Sequence, residues 1–414
     1  NMKTLLNLLF LSSSLSSICQ NYLNQVLILN EGYYNSTTQN MDYPVSIGSY
    51  NPETSEYTTL IEIDSVKFAS DMIIDEDFLY VAADYKLLKY NLNTFELLSE
   101  VNVEGIRKIL ISENVIFTTI GDYDPMTYLP VEFESYLHAY NKNSLFPIFY
   151  LDTVVGPKYS TQNLLNISSN TLESGSMRIA LTINNAFEWG NEVGKVGFLN
   201  INQDDDIFQT YTFSDYFEID LGEDGKNPDN LFILNDDLYT INNKDWSSSS
   251  ISKINLIDGV TETNNLSLSS TGCGTSCLYN TKILFQYSGD SRLHFWNTEL
   301  NDNELNELGE FDNFYAISFD SINNRIYASS TDYVTQGDVK IYNNDYIQLE
   351  SFNVGVSPGK ILFDYRSNLS LDKEINKVEN SNINNKKFDL MGRELKNVKS
   401  GNIYITNLKK YFKN

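Results

Sequence analysis

The sequence predicts an all-β chain whose body is a seven-bladed β-propeller closed by a composite blade. Three observations predict it. Short runs with alternating apolar and polar positions, broken by Asn, Asp and Gly turns, follow one another from residue 20 to residue 367 without a long amphipathic helical pattern. A unit of four such runs recurs along this stretch. The first segment lacks the innermost strand of the unit, and a spare strand of that type stands at the far end.

The clearest copy of the unit runs Asp229-Asn230-Leu231-Phe232-Ile233-Leu234 (strand A), Asp237-Leu238-Tyr239-Thr240-Ile241 (B), Ser250-Ile251-Ser252-Lys253-Ile254-Asn255-Leu256 (C) and Val260 to Leu268 (D). Complete units fall near 69–103, 105–153, 160–213, 227–268, 275–308 and 314–354. The opening segment supplies only B, C and D: Val26-Leu27-Ile28-Leu29-Asn30, Val45 to Tyr50, and Tyr57 to Ile63. Gly359-Lys360-Ile361-Leu362-Phe363-Asp364-Tyr365 is the spare strand A. Joining it to the opening segment makes a seventh blade from both ends and removes the exposed sheet edges that recruit other chains.

Charge divides the 414 residues more sharply than length does. There are 29 Lys+Arg against 55 Asp+Glu, a net of −26, which repels phosphate backbones and argues against a nucleic-acid partner. The basic residues crowd the end: residues 368–414 carry ten Lys+Arg and five Asp+Glu. Four stretches are therefore expected: a signal peptide over 1–19, the propeller over 20–367, an Asn-rich linker over 368–385, and a short β segment over 386–414.

The first stretch has the charged, apolar, small-residue order of a secretory signal, with Lys3, an apolar run Leu5 to Leu11, then Ser16-Ser17-Ile18-Cys19-Gln20. A buried N-terminal helix is the competing reading. The apolar run is shorter than the ~20 residues of a membrane span. Cleavage after Cys19 suits the small-residue rule, and bulky Ile18 argues against acylation of the Cys19 thiol.

At the other end, Lys386-Lys387-Phe388-Asp389-Leu390-Met391-Gly392-Arg393-Glu394, then Gly401-Asn402-Ile403-Tyr404-Ile405, then Lys409-Lys410-Tyr411-Phe412-Lys413 come in order. They resemble the C-terminal sorting signal of the type IX secretion system. That resemblance implies handling by the type IX machinery and a secreted or outer-membrane cell-surface location. Val26-Leu27-Ile28-Leu29-Asn30-Glu31-Gly32 with Ser49-Tyr50-Asn51-Pro52-Glu53-Thr54, and Gly355-Val356-Ser357-Pro358-Gly359, resemble motifs of YncE-like and DUF5074-type bacterial surface propellers. Some members of that group work beside TonB-dependent transporters. The resemblance implies nutrient capture, of a cobalamin-like ligand or a glycan, for such a transporter.

Connections from B to C and from D to A open on one face of a propeller, around the mouth of its central channel. An acid followed by an aromatic stands just after strand B in several units: Asp84-Tyr85, Asp122-Tyr123, Glu188-Trp189, Asp245-Trp246 and Asp332-Tyr333, with Glu31 and Tyr33 in the opening segment. The loops Gly32 to Pro44, Gly121 to Glu134 and Asn184 to Gly194 are long, as functional loops in compact domains are. Aromatic faces and carboxylates in a concave mouth suit a small-molecule or glycan ligand, neutral or cationic. The competing reading is turn chemistry, with the acid capping a turn and the aromatic covering the edge of the core.

Other chemistry is thinly supported. Asp204-Asp205-Asp206 and the set Asp220, Glu223, Asp224, Asn227, Asp229 are oxygen-rich enough for Ca²⁺ but lack the spacing of an EF-hand loop. Cys273 and Cys277 are spaced for a local disulfide. With only three Cys and two His, a zinc or other metal centre is not expected, and no cofactor is assigned. His138 and His294 read as strand residues. No phosphate loop, nucleophile elbow or metalloprotease helix occurs, so no catalytic residue is assigned. A glycan-active hydrolase or lyase working through paired carboxylates stays open beside the binding module, as does a surface adhesin or scaffold.

Overall fold

The structure is a computed structural model that describes residues 21–168, 176–203, 211–299, 302–306 and 311–367, with short strands at 387–388, 394–395, 403–406 and 409–412. The signal, the linker, Cys19 and Asp204-Asp205-Asp206 lie outside the described residues. The chain divides into two compact units, one over Leu23–Asp364 and one formed by Asn1–Tyr22 with Tyr365–Asn414. In the second unit, Glu394–Leu395, Lys387–Phe388, Ile403–Thr406 and Lys409–Phe412 form a four-stranded sheet in that order. Phe388 pairs with Ile405, and Tyr404 with Tyr411.

The larger unit is a β-propeller whose sheets are antiparallel meanders. Five four-stranded sheets stand separately, beginning at Asp71–Asp75, Ile106–Ser112, Thr161–Asn166 and Pro228–Leu234, with the fifth built from both ends of the unit. This differs from the expected seven separate blades. Eight further strands, from Thr271–Tyr279 to Gln348–Val356, form one sheet, two meanders joined through the parallel pairing of Gly274 with Ala316. Gly274 makes the joint possible, because a Cβ there would sit 2.6 Å from the Tyr315 carbonyl oxygen.

The composite sheet has the order Pro358–Ser367, Asn21–Asn30, Val45–Asn51, Glu56–Ile63. Its register pairs Leu27 with Ser49 and Leu29 with Ile47. Leu27, Leu29, Val45 and Ile47 are all buried and pack with Met72, Leu79 and Val81 of the following sheet. Each neighbouring pair of sheets is held by such a sandwich of alternating side chains; Phe117, Leu137, Ile179 and Leu181 do the same between the next two.

One turn recurs and explains how strand C passes into strand D. Asn51, Asn91, Asn141 and Asn255 end their strands, and each side-chain oxygen accepts from the amides two and three residues on. The fourth residue on then takes left-handed φ: Ser55 (58°), Phe95 (58°), Leu145 (57°) and Gly259 (73°). Its amide donates back to the Asn carbonyl at 2.8 to 2.9 Å. The stretch Tyr50-Asn51-Pro52-Glu53-Thr54 is one copy of this turn, so the motif has a conformational cause.

The first strands of the sheets face one another and are linked by polar contacts that pass from sheet to sheet. Lys108 Nζ donates to the Ser70 carbonyl (2.6 Å) and the Ile109 amide to Asp71 Oδ2 (3.1 Å). Arg107 donates to the Thr161 carbonyl (3.0 Å). Gln162 donates to Asp229 (2.8 Å), Asn163 to Asn230 (2.9 Å), and Asn230 to Ser276 (2.6 Å). Ser318 donates to the Ile361 carbonyl (3.1 Å), and Lys360 pairs with Asp71 at 2.8 Å, which brings the belt back to its start.

Candidate functional site

The loops after strand B and before strand A share one face, as hydrogen bonds between them show. The Lys67 amide donates to Asp84 Oδ2 (3.1 Å), the Asn227 amide to the Val193 carbonyl (2.9 Å), and the Gly32 amide to the Val356 carbonyl (3.1 Å). Two clusters form around the start of the inner strands on this face.

The first cluster gathers Asp84, Asp122 and Arg107. Asp84 occupies a tight turn between Phe78–Ala83 and Lys86–Asn91, at φ 54°. Asp122 opens the long loop after Val115–Ile120 and accepts the Tyr123 amide at 2.8 Å. Burial raises the Asp122 pKa, and the negative charge of Asp84 adds to the effect, while its turn hydrogen bond and Arg107 oppose it. The Arg107 guanidinium lies 4.6 Å over the Phe187 ring, in cation–π range. Tyr123 lies beside Phe187 at 5.9 Å and beside Tyr128 at 6.3 Å between centroids. Tyr123, Tyr128, Met126 and Leu129 are exposed, so this loop presents an apolar surface next to two carboxylates. The loop is braced by pairing of Tyr123 with Pro130.

The second cluster joins Glu31 to Tyr333 through Tyr315. The Tyr315 hydroxyl donates to Glu31 Oε2 at 2.8 Å, and its ring meets Tyr333 edge-on at 5.3 Å. Burial pushes the Glu31 pKa up to about 7, against the smaller pull of the Tyr315 hydrogen bond and the Lys108 charge. A carboxyl with its pKa raised by burial is thus held by Tyr315, whose ring packs against the exposed Tyr333.

The remaining expected residues are engaged locally. Asp245 accepts the amide and hydroxyl of Ser247, and Asp332 accepts the amides of Val334 and Thr335; these turn hydrogen bonds hold both carboxyls low, Asp332 at about 2. Trp246 and Tyr333 follow them at φ 65° and 67°. Glu188 accepts the side-chain amides of Asn185 (2.8 Å) and Asn191 (2.9 Å), leaving Trp189 exposed. A concavity of about 680 Å³ beside Glu188 is lined by Tyr159, Glu192, Lys195 and Asp220. Tyr85 is part-buried, with Lys86 5.9 Å over its ring. Tyr33 lies in a strand, Tyr33–Asn35, paired with Asn40–Tyr43, so the segment expected to be a plain loop from Gly32 to Pro44 contains a two-stranded ribbon.

The sequence did not point to Arg107, Phe187 or Tyr315, which organise both clusters. A signal existed for Arg107: Arg107-Lys108 places two adjacent cations at the start of an inner strand, which no other inner strand does.

Among the described residues, no group of three or more His, Cys, Asp or Glu side chains is arranged to hold a metal. Glu223 pairs with Lys226 (2.7 Å), Asp224 with Lys244 (2.9 Å), and Asp229 with Gln162 (2.8 Å). Cys277 is a free thiol whose pKa burial pushes up to about 12, and the side chain of Cys273 lies outside the described residues. His138 and His294 lie on Ser135–Asn141 and Leu293–Asn297, packed against Tyr150 and Tyr287.

No family model and no curated protein matches the chain. Solved structures do. A protein provisionally called 6-phosphogluconolactonase from Bacteroides fragilis aligns over 82% of this chain and 98% of its own, with TM-score 0.54 and 11% identity. A hypothetical selenium-binding protein from Sulfolobus tokodaii aligns over 86% and 95%, with TM-score 0.54 and 10% identity. At these identities the likeness establishes the propeller fold alone.

Proposed function

We propose that the protein is an exported propeller that binds a small molecule or glycan without catalysis, on the face carrying Asp84, Asp122, Arg107 and Tyr123. One observation carries this reading: two carboxylates, a guanidinium, the exposed rings of Tyr123 and Tyr128 and the part-buried ring of Phe187, from three successive sheets, gather at the start of the inner strands. Rings offer flat faces for sugar or heterocycle stacking, and the charged groups fix orientation by hydrogen bonds. The likeness of the two ends to a secretory signal and a type IX sorting segment supports a secreted or cell-surface location. The likeness of the Asn-Glu-Gly and Tyr-Asn-Pro motifs to YncE-like and DUF5074-type propellers supports nutrient capture beside a TonB-dependent transporter. Counting the eight-stranded sheet as two blades, we read the disc as seven-bladed and closed by both ends of residues 20–367.

A melting-temperature screen of the full chain against cobalamins, siderophores, haem, glycans and Ca²⁺ tests the reading. A ligand at 100 times its Kd adds ~2.7 kcal/mol, which such a screen resolves. The proposal fails if no member of the panel shifts the transition.

A second reading rests on Asp122, whose raised pKa beside Asp84 makes a carboxylate pair of the kind glycosidases use. Turnover of a glycan in the same panel, abolished by Asp122→Asn, would replace binding with hydrolysis or elimination.

A further inference from the structure

Below the mouth, the inner strands enclose a cavity of about 400 Å³, within the size range of small-ligand sites. None of the loop residues above lines it, and of them Glu31 is near enough to feel the charge of Lys108. Its lining is divided by chemistry along the strands.

At one end stand Asp71, Lys108 and Lys360. Lys360 Nζ lies 2.8 Å from Asp71 Oδ1, and Lys108 Nζ donates to the Ser70 carbonyl. Burial works to raise the Asp71 pKa, but the two lysines outweigh it and keep the group ionised. Two ammoniums and one carboxylate leave a net charge of +1, inside a chain whose net charge is −26. Each ammonium has three donors, and the contacts with Asp71 and Ser70 take one each. Asn163, Asn230 and Ser276 add a linked row of amides and a hydroxyl beside them. At the other end the wall is Phe232, Phe319 and Phe363, with Ile361 and Leu278.

We propose that this cavity binds a small amphipathic monoanion, an aryl or branched-alkyl carboxylate, with its carboxylate between Lys108 and Lys360 and its apolar body against the three phenylalanines. The net charge of the lining selects one negative charge. A cation meets two ammoniums and a carboxylate that is already paired. A wholly polar sugar would leave the phenylalanine wall without a partner and gain nothing from it, whereas an aromatic or branched body is removed from water there.

Calorimetric titration and melting temperature of the full chain test this with three probes: phenylacetate, phenylethylamine, which carries a similar ring and the opposite charge, and acetate, which carries the charge without the ring. Phenylacetate is expected to bind and to raise the transition as its concentration increases, and the other two are not. Lys108→Gln should weaken phenylacetate at least tenfold, and Ser318→Leu, which fills the cavity without touching a charge, should abolish its binding. Should Lys108→Gln not fold, Ser318→Leu carries the comparison alone. Tyr123→Ala, on the loop face, should leave phenylacetate binding unchanged, so this site and the loop site are judged apart. The inference is overturned if phenylacetate does not bind, if phenylethylamine binds as well, or if phenylacetate binds equally to the parent and to the folded variants of Lys108 and Ser318.

Discussion

Lys360 and Asp71, separated by almost the whole propeller sequence, meet at 2.8 Å across the junction of the composite sheet and the one that follows it. The Asp71 carboxylate is buried, and the Lys360 side chain is only 37% exposed. The pair completes a belt of polar contacts along the inner strands, and it does so where the chain's two ends come together. Closure by strand pairing alone leaves this junction to side-chain packing; the ion pair adds a directional contact.

Lys360→Met should therefore cost more than an exposed ion pair would, because Asp71 is left buried with only the charge of Lys108 and the Ile109 amide to compensate it. Breaking a fully buried pair costs about 3–5 kcal/mol, and the partial exposure of Lys360 reduces the expectation to about 2. Denaturant midpoints of the single variants and of Lys360→Met with Asp71→Leu check this. The double change should recover part of the loss.

Glu31 gives the fold a pH dependence of known sign. Its folded pKa of about 7 stands above the ordinary glutamate value of 4.5, so the folded state holds a proton that the unfolded state releases between those values. Its contribution is fully present below about 4.5 and is lost as pH rises through about 7. Glu31→Gln keeps an oxygen to accept from Tyr315 and removes the titration. In melting curves, its stability should fall less than that of the parent between pH 5 and 8, by roughly the scale of ~1.4 kcal/mol per pKa unit.

The recurring Asn turn predicts two opposite effects. Asn141→Ala removes the oxygen that satisfies the amides of Asn143 and Ser144, and should cost about 1 kcal/mol in a denaturation series. Ser55→Gly relieves a left-handed residue at an exposed position and should stabilise by roughly 0.5–1 kcal/mol. No loss at Asn141→Ala, or a loss at Ser55→Gly, would disprove the turn as a shared device.

Much of this architecture was legible because it rests on local pattern. Alternation of buried and exposed positions marks the strands, and Asn at the strand ends marks the turns. The spare strand read as Gly359 to Tyr365 is the strand Pro358–Ser367, paired beside Asn21–Asn30. The merging of two meanders was not legible, since it depends on the close approach that Gly274 permits to a strand some forty residues away. At the loop face, the acid-aromatic pairs lie after strand B, but the contacts each one makes were not legible. Asp245 and Asp332 satisfy their own turns, whereas the charges of Asp84 and Arg107, from different strands, both act on Asp122. Contacts of that kind have no fixed sequence spacing.

The affinity of Tyr123→Ala for whichever panel ligand gives the largest melting shift, measured by calorimetric titration against the parent, tests the binding face most directly. Tyr123 is exposed beside Phe187 and next to the Asp84, Asp122 and Arg107 group, so truncation should weaken binding by about 1–3 kcal/mol, as a central aromatic anchor does, with the melting temperature of the free protein nearly unchanged. Parent-like affinity in Tyr123→Ala, and again in Arg107→Ala, would contradict the account and move the ligand face elsewhere.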